Sequence, residues 1–161
     1  MQRKVCLDTC IVIWAILDQG RAEDEAKRLK AAYLLSQLDE EKAKIFIPAL
    51  VIAEITAKMA QEDRLELLNL LSLKARAEIM PFCTASALEY GTIRAIGKKM
   101  VNKKFSRKEM SFDSAIIATC KRHGVETIYT NDNNMRELAK AFMQVSDLPN
   151  IPPLMQPLPL E

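Results

Sequence analysis

Asp8, Glu54, Asp113 and Asp132 each stand where a short apolar run gives way to a helix or a turn. Asp8 closes KVCLD, Glu54 follows IFIPALVIA, Asp113 opens the helical stretch FDSAIIATCKR, and Asp132 follows TIYTN. Gathered within a few ångströms, such carboxylates repel by several kcal/mol even at an effective dielectric of about 20. A shared cation removes that cost. All-oxygen donors suit Mg²⁺ or Mn²⁺, which keep several waters and take substrate phosphate at the open positions. The chemistry that fits is metal-assisted hydrolysis of a phosphodiester: the ion lowers the pKa of a bound water and neutralises charge on the scissile phosphate. A second ion, arriving with substrate, could stabilise the leaving oxygen.

Each acid also has a local explanation. Asp8 or Asp113 could favour a helix N-terminus by capping or through the dipole. Glu54 could pair with Lys58 one turn on, and Asp132 in TNDNN could be a turn residue. Taken together, their positions beside strand ends favour a shared site, because in an open parallel sheet the strand ends converge on one crevice where ligands bind.

Other chemistries have little to draw on. His123 is the lone histidine and lies at a helix end, so a Ser-His-Asp or Cys-His site is disfavoured. The four glycines form neither G-x-x-x-x-G-K nor G-x-G-x-x-G. Cys6, Cys10, Cys83 and Cys120 make no C-x-x-C pair, which argues for reduced thiols, against a zinc site, and for a cytoplasmic location.

The elements that must position the acids read as alternating strands and helices over one domain of 161 residues. Expected strands are Lys4–Leu7, Lys44–Ile47, Glu78–Met80, Thr127–Tyr129 and Met143–Val145, mostly continuous apolar runs of the kind found where both sheet faces are covered. Ala22, Ala26, Leu29 and Tyr33 step along one face of a helix, and Val51, Ile52, Ile55 and Met59 form the buried side of another that Pro48 begins. Ser86 and Glu89 match a capping box opening a long helix. Gly124 after KRH matches a helix C-cap. This alternation implies an α/β fold with a parallel, about five-stranded sheet. Residues 1–145 form the expected domain; 146–161 form a proline-rich tail with five of the seven prolines, extended, and free to lie along a sheet edge, reach a partner or stay disordered. The basic start and apolar run of MQRKVCLDTCIVIWAIL imitate a signal peptide, but Asp8 interrupts the run, and IFIPALVIA is too short to span a bilayer. No membrane role is expected.

These pieces, VCLDTCIVIW, IPALVIAEI and FDSAIIATCKRHGVETIYTND, resemble a PIN domain in order and spacing, and within that family the small VapC-type toxin ribonucleases. The resemblance covers nearly all but the tail. It implies a three-layer α/β/α sandwich and a Mg²⁺- or Mn²⁺-dependent endoribonuclease, with the four metal-site acids falling on Asp8, Glu54, Asp113 and Asp132. The family's small hydroxyl positions fall on Thr9 and Thr130, with Asn131 beside them. After Asp132, where the family often has a further acid and an aromatic, NNM stands instead. The resemblance also implies a homodimer and a cognate antitoxin.

A formal net charge of +2 leaves any nucleic-acid footprint local. Arg94, Lys98, Lys99, Lys103, Lys104, Arg107 and Lys108 crowd the approach to Asp113, as RNA-binding cations would, or as a solvated helix face would. RLELLNLLSLK holds more leucines than one core stripe needs; burial on two sides or a dimer or partner groove accounts for them. The competing functional reading is a PIN-like module that binds RNA or protein without cleaving, and intact acids at all four positions weigh against it.

Overall fold

The apolar runs that precede Asp8, Ala49 and Thr130 become the three inner strands of a five-stranded parallel sheet. This is seen in the computed structural model, which describes residues 2–100 and 107–153. In chain order the elements are β1 (Lys4–Leu7), α1 (Thr9–Ala15), a 3₁₀ turn (Ala22–Asp24), α2 (Glu25–Glu40), β2 (Lys44–Pro48), α3 (Ala49–Thr56), α4 (Arg64–Ala75), β3 (Glu78–Met80), α5 (Thr84–Met100), α6 (Arg107–Arg122), β4 (Thr127–Tyr129), α7 (Asn133–Ala139) and β5 (Gln144–Ser146). The strand order is β3-β2-β1-β4-β5, with every pairing parallel. Helices cover both faces, giving the three-layer α/β/α sandwich expected from the sequence. Accordingly Val5, Cys6, Leu7, Ile45, Phe46, Ile47 and Ile128 are all buried.

The order reverses at β1: the chain first builds outward to β2 and β3, then returns to place β4 and β5 on the other side. The crevice beyond the C-terminal ends of β1 and β4 is therefore the place where an open sheet binds its ligand. Register fixes what meets there. Leu7 lies opposite Tyr129, so the next residues, Asp8 and Thr130, emerge side by side.

Several sequence expectations shift. β5 runs one residue later than Met143–Val145. Pro48 ends β2 and caps α3 rather than occupying its first turn, because its extended backbone (ψ 139°) still belongs to the strand. The buried face of α2 is Ala31, Leu34 and Leu38, whereas Leu29 is exposed and Ala22 lies in the preceding 3₁₀ turn. Ser86 is no cap: α5 starts at Thr84, Ser86 is buried within it, and Glu89 instead pairs with Lys121 of α6 at 2.8 Å. The leucines of α4 are not buried on two sides. Leu67 and Leu71 enter the core, while Leu65 and Leu73 are 73% and 78% exposed. Gly124 does take a left-handed conformation (φ +69°) after α6, and Val125 N closes the turn onto Cys120 O at 3.0 Å.

The first tail residues pack on the body: Leu148 lies against the core and Asn150 Oδ1 accepts from Lys30 Nζ at 3.2 Å. Residues 154–161 of the tail lie outside the described residues. Among those described, no helix is long and apolar enough to cross a membrane.

Candidate active site

Asp8 sits at the junction of β1 and α1, with the extended backbone (φ −75°, ψ 166°) that a helix cap requires. Its Oδ1 accepts Thr9 N at 2.7 Å and its Oδ2 accepts the Thr130 hydroxyl at 2.6 Å. The Thr130 hydroxyl in turn accepts Asp132 N at 3.0 Å, which leaves its proton directed at Asp8. Asp132 is the cap of α7: its Oδ1 takes Asn134 N at 2.6 Å and Met135 N at 3.1 Å, fixing the carboxylate plane. From the facing helix α3, Glu54 Oε2 accepts the Thr9 hydroxyl at 2.5 Å, so it does not look outward to Lys58. The two threonines thus join three of the four acids into one bonded cluster.

Asp113 reaches the cluster by a different route. The sequence suggested that it opens a helix; α6 in fact begins at Arg107, and Asp113 lies in the second turn. The polar RKEM that precedes it carries no sequence signal of a helix start. Met110, Ile116, Ile117 and Cys120 anchor α6 in the core, and this holds Asp113 at the edge of the crevice.

The four acids lie close enough to feel one another's charge. Burial pushes the Asp113 carboxyl up to about 7, and the charges of Asp8, Asp132, Glu54 and Glu109 push it the same way. Asp8 rises to about 6, first through burial. There the hydrogen bonds from Thr130 and Thr9 stabilise the charged form, against Glu54 and Asp132, which raise the value. Asp8 is only 6% exposed, so these two bonds, rather than solvent, hold it down.

The donor set is hard oxygen throughout, and the burial and neighbouring negative charge that raise Asp8 and Asp113 are a cost that a divalent cation would relieve. Among the described residues, no three His, Cys, Asp or Glu side chains are gathered tightly enough to enclose an ion. An all-oxygen set of this kind suits a hard divalent ion that keeps several of its waters.

Of the basic residues, Lys98 and Lys99 form the exposed last turn of α5. That turn is held near the site by Gly97: a Cβ there would come within 3.1 Å of Leu138 on α7 and 3.4 Å of Met110, one turn before Asp113. Arg107 and Lys108 lie in the first turn of α6, while Lys103 and Lys104 fall outside the described residues. Asn131 enters through its backbone: its N–H donates to Cys10 Sγ at 3.4 Å, and its side chain contributes no contact we describe.

Two residues at the site were not singled out from the sequence. Cys10 approaches Asp8 Oδ2 at 3.9 Å, a long contact for a weak S–H donor. Its position two residues after Asp8 was the available signal. Arg136, one turn after Asp132, donates from Nη2 to Thr130 O at 3.3 Å. Spacing alone could have placed it beneath Asp132, but not on that carbonyl. Two clefts of about 540 and 400 Å³ lie elsewhere, one around Lys42, Lys44 and Arg76 and one between α1 and α2, and neither is lined by the four acids.

A five-stranded parallel sheet with acids at its switch point places the chain among α/β domains that bind their ligand at the strand ends. The PIN domain family model matches residues 5–141, and the chain belongs to the PIN domain family, whose members are generally nucleases. The comparison with curated proteins gives no match. Among solved structures, the chain resembles VapBC2 from Rickettsia felis bound to a DNA fragment from its promoter, with 19% identity, 89% of this chain and 98% of that one covered, and a TM-score of 0.61. FitAB bound to an IR36 DNA fragment matches at 23% identity, 89% and 94% coverage and a TM-score of 0.61. VapBC-1 from nontypeable Haemophilus influenzae matches at 13% identity, 90% and 98% coverage and a TM-score of 0.60. At these identities the likeness concerns the fold.

Proposed function

We propose that this PIN domain is a Mg²⁺- or Mn²⁺-dependent endoribonuclease, with Asp8, Glu54, Asp113 and Asp132 holding the metal, and that it acts as the toxin of a toxin–antitoxin pair. The observation that carries the reading is the meeting of a buried Asp8 and a half-buried Asp113 with Glu54 and Asp132 at the switch point of the sheet, where burial first, and neighbouring acids after it, push the two carboxyls up to about 6 and about 7. A pure binding module gains nothing from that repulsion. A bound divalent ion supplies a hydroxide-forming water and charge neutralisation on the phosphate.

The chain's own residues do the positioning. Thr130 and Thr9 hold the Asp8 carboxylate in the plane between β1 and α7, and Thr9 also fixes Glu54. Asp132 is held by two α7 amides through one oxygen, which leaves its other oxygen for a metal or its waters. Lys98 and Lys99, exposed at the end of α5, would grip the RNA backbone by charge together with Lys103, Lys104, Arg107 and Lys108 of the same basic stretch of sequence. The likeness to VapBC and FitAB structures supports an antitoxin partner. The exposed Leu65, Leu68 and Leu73 on α4 support a homodimer.

The test is cleavage of end-labelled single-stranded RNA and DNA by the purified chain with Mg²⁺, Mn²⁺ or EDTA. The expected result is internal cuts in RNA that need the cation and vanish in Asp113→Asn. Cleavage that survives EDTA and this substitution would overturn the assignment.

A further inference from the structure

The stretch after β5 is tied to the site by one side chain. Arg136 lies on α7, and its Nη2 donates both to the backbone carbonyl of Thr130 and to the carboxylate of Asp147, with which it forms an ion pair. Its Nε is buried and makes no hydrogen bond among the described residues. The guanidinium is therefore aimed by these two oxygens rather than by a full set of partners. Asp147 follows β5 directly, and Thr130 N donates to Ser146 O at 3.2 Å, so the N–H and the C=O of Thr130 are both held by residues further along the chain. The hydroxyl of the same residue is the one that donates to Asp8.

We infer that Arg136 and Asp147 are positioning residues for this site, acting through Thr130. Arg136 is the only side chain described on the Thr130 carbonyl. Asp147 holds the guanidinium there by a charge-assisted contact, which is stronger and more directional than a neutral one. With the N–H and C=O of Thr130 both held, its Cα–Cβ bond stays aimed at the cluster, and the hydroxyl lies between Asp132 N and Asp8 Oδ2. Releasing the clamp lets the 130–132 loop turn, and a displacement of about 1 Å in a catalytic group costs up to about a hundredfold in rate. The start of the proline-rich segment is on this account part of the site's scaffold.

The inference rests on the nuclease reading for its kinetic half and on the metal-free protein for the other, so the two can fail separately. Arg136→Met, Arg136→Lys and Asp147→Asn are compared with the unchanged chain in RNA cleavage and in amide hydrogen exchange without metal. Arg136→Met is expected to lower kcat about ten- to a hundredfold with KM for RNA within about twofold, and to speed exchange of the Asp132 amide about tenfold. Asp147→Asn is expected to do the same more weakly, and Arg136→Lys to recover most of both, since it keeps the charge and a donor. Unchanged exchange at Asp132, or an effect confined to KM, would overturn the inference. Equal kcat in Asp147→Asn and the unchanged chain would do so too, even if Arg136→Met fails to fold. If the unchanged chain cuts no RNA, the nuclease reading falls, and exchange at Asp132 alone decides the clamp.

Discussion

The Thr130 hydroxyl stands 2.6 Å from Asp8 Oδ2, bridging the ends of two adjacent parallel strands while accepting Asp132 N at 3.0 Å from its other side. Thr130 is fully buried, so neither bond is exchanged readily for water. A hydroxyl placed this way does two things at once. It stabilises the ionised form of the most buried acid, and it sets the spacing between that acid and the next.

Thr130→Val removes the hydroxyl while keeping the shape. The Asp132 N–H and Asp8 Oδ2 then lose a buried partner each, at about 1–3 kcal/mol for an unsatisfied group. Without one of the two bonds that hold it down, the Asp8 carboxyl rises further above about 6. The expected outcome is a lower denaturant midpoint at pH 8 and an acid limb of the cleavage profile displaced to higher pH. Thr130→Ser should restore both. A Val variant with unchanged stability and profile would remove Thr130 from the site.

The raised acids also set the pH dependence of stability. A carboxyl whose folded pKa lies above its unfolded value binds protons more tightly when folded. Its contribution is therefore complete below the unfolded value of 3.8 and is lost as pH climbs through about 6 for Asp8 and about 7 for Asp113. For Asp8 the amount is of order 3 kcal/mol, at about 1.4 kcal/mol per pKa unit. In EDTA the melting temperature should fall between about pH 5 and pH 8, and Asp113→Asn should flatten that fall. Millimolar Mg²⁺ should raise the melting temperature most at pH 8, where both acids are charged and the ion binds only the folded form. A melting temperature that rises with pH over this window in EDTA would contradict the assignment of the two shifts.

Much of this geometry could be read from the chain, and the exceptions have physical causes. Strand ends followed by an acid are legible because a fully buried parallel strand is a continuous apolar run, as in VCL before Asp8 and TIY, which ends three residues before Asp132. Asp113 was misplaced within its helix because the sequence of the first two turns of α6, RKEMSF, is mostly polar and shows little apolar period. The face of α2 was misjudged because its N-terminal turns leave Leu29 exposed, so the deeper set at Ala31, Leu34 and Leu38 carries the packing instead. The Arg136–Asp147 pair was invisible, since the two are joined only through the placement of β5 against β4. No local spacing encodes it.

Substituting Lys98 and Lys99 with Ala tests the basic approach on residues that are exposed at the end of α5. Each phosphate contact to a single strand contributes about 0.7 to the slope of log affinity against log salt. If both lysines grip the backbone, the double variant should bind a nuclease-resistant RNA more weakly at low salt, with a slope shallower by about 1.4. Its melting temperature should not move, because neither side chain is buried. An identical slope would mean that the two cations belong to a solvated helix face.

Asp8→Asn separates the cost of repulsion from the cost of lost hydrogen bonds. The neutral amide relieves the charge felt by Asp113, for which Asp8 is the strongest charged neighbour, and should bring that carboxyl down from about 7. Its oxygen can still accept from Thr9 N. Its NH₂, however, would face a Thr130 hydroxyl that already accepts Asp132 N, so Thr130 must find its proton a new acceptor. Relief of repulsion outweighs that loss, because burying a charge costs more than mispairing one neutral hydroxyl. The metal-free variant should therefore be at least as stable as the unchanged chain at pH 8, and less so relative to it at pH 5. RNA cleavage should fall below detection in any cation. Chemical denaturation at the two pH values checks the first outcome and a gel assay the second; a variant that cuts RNA at the unchanged rate would remove Asp8 from the chemistry.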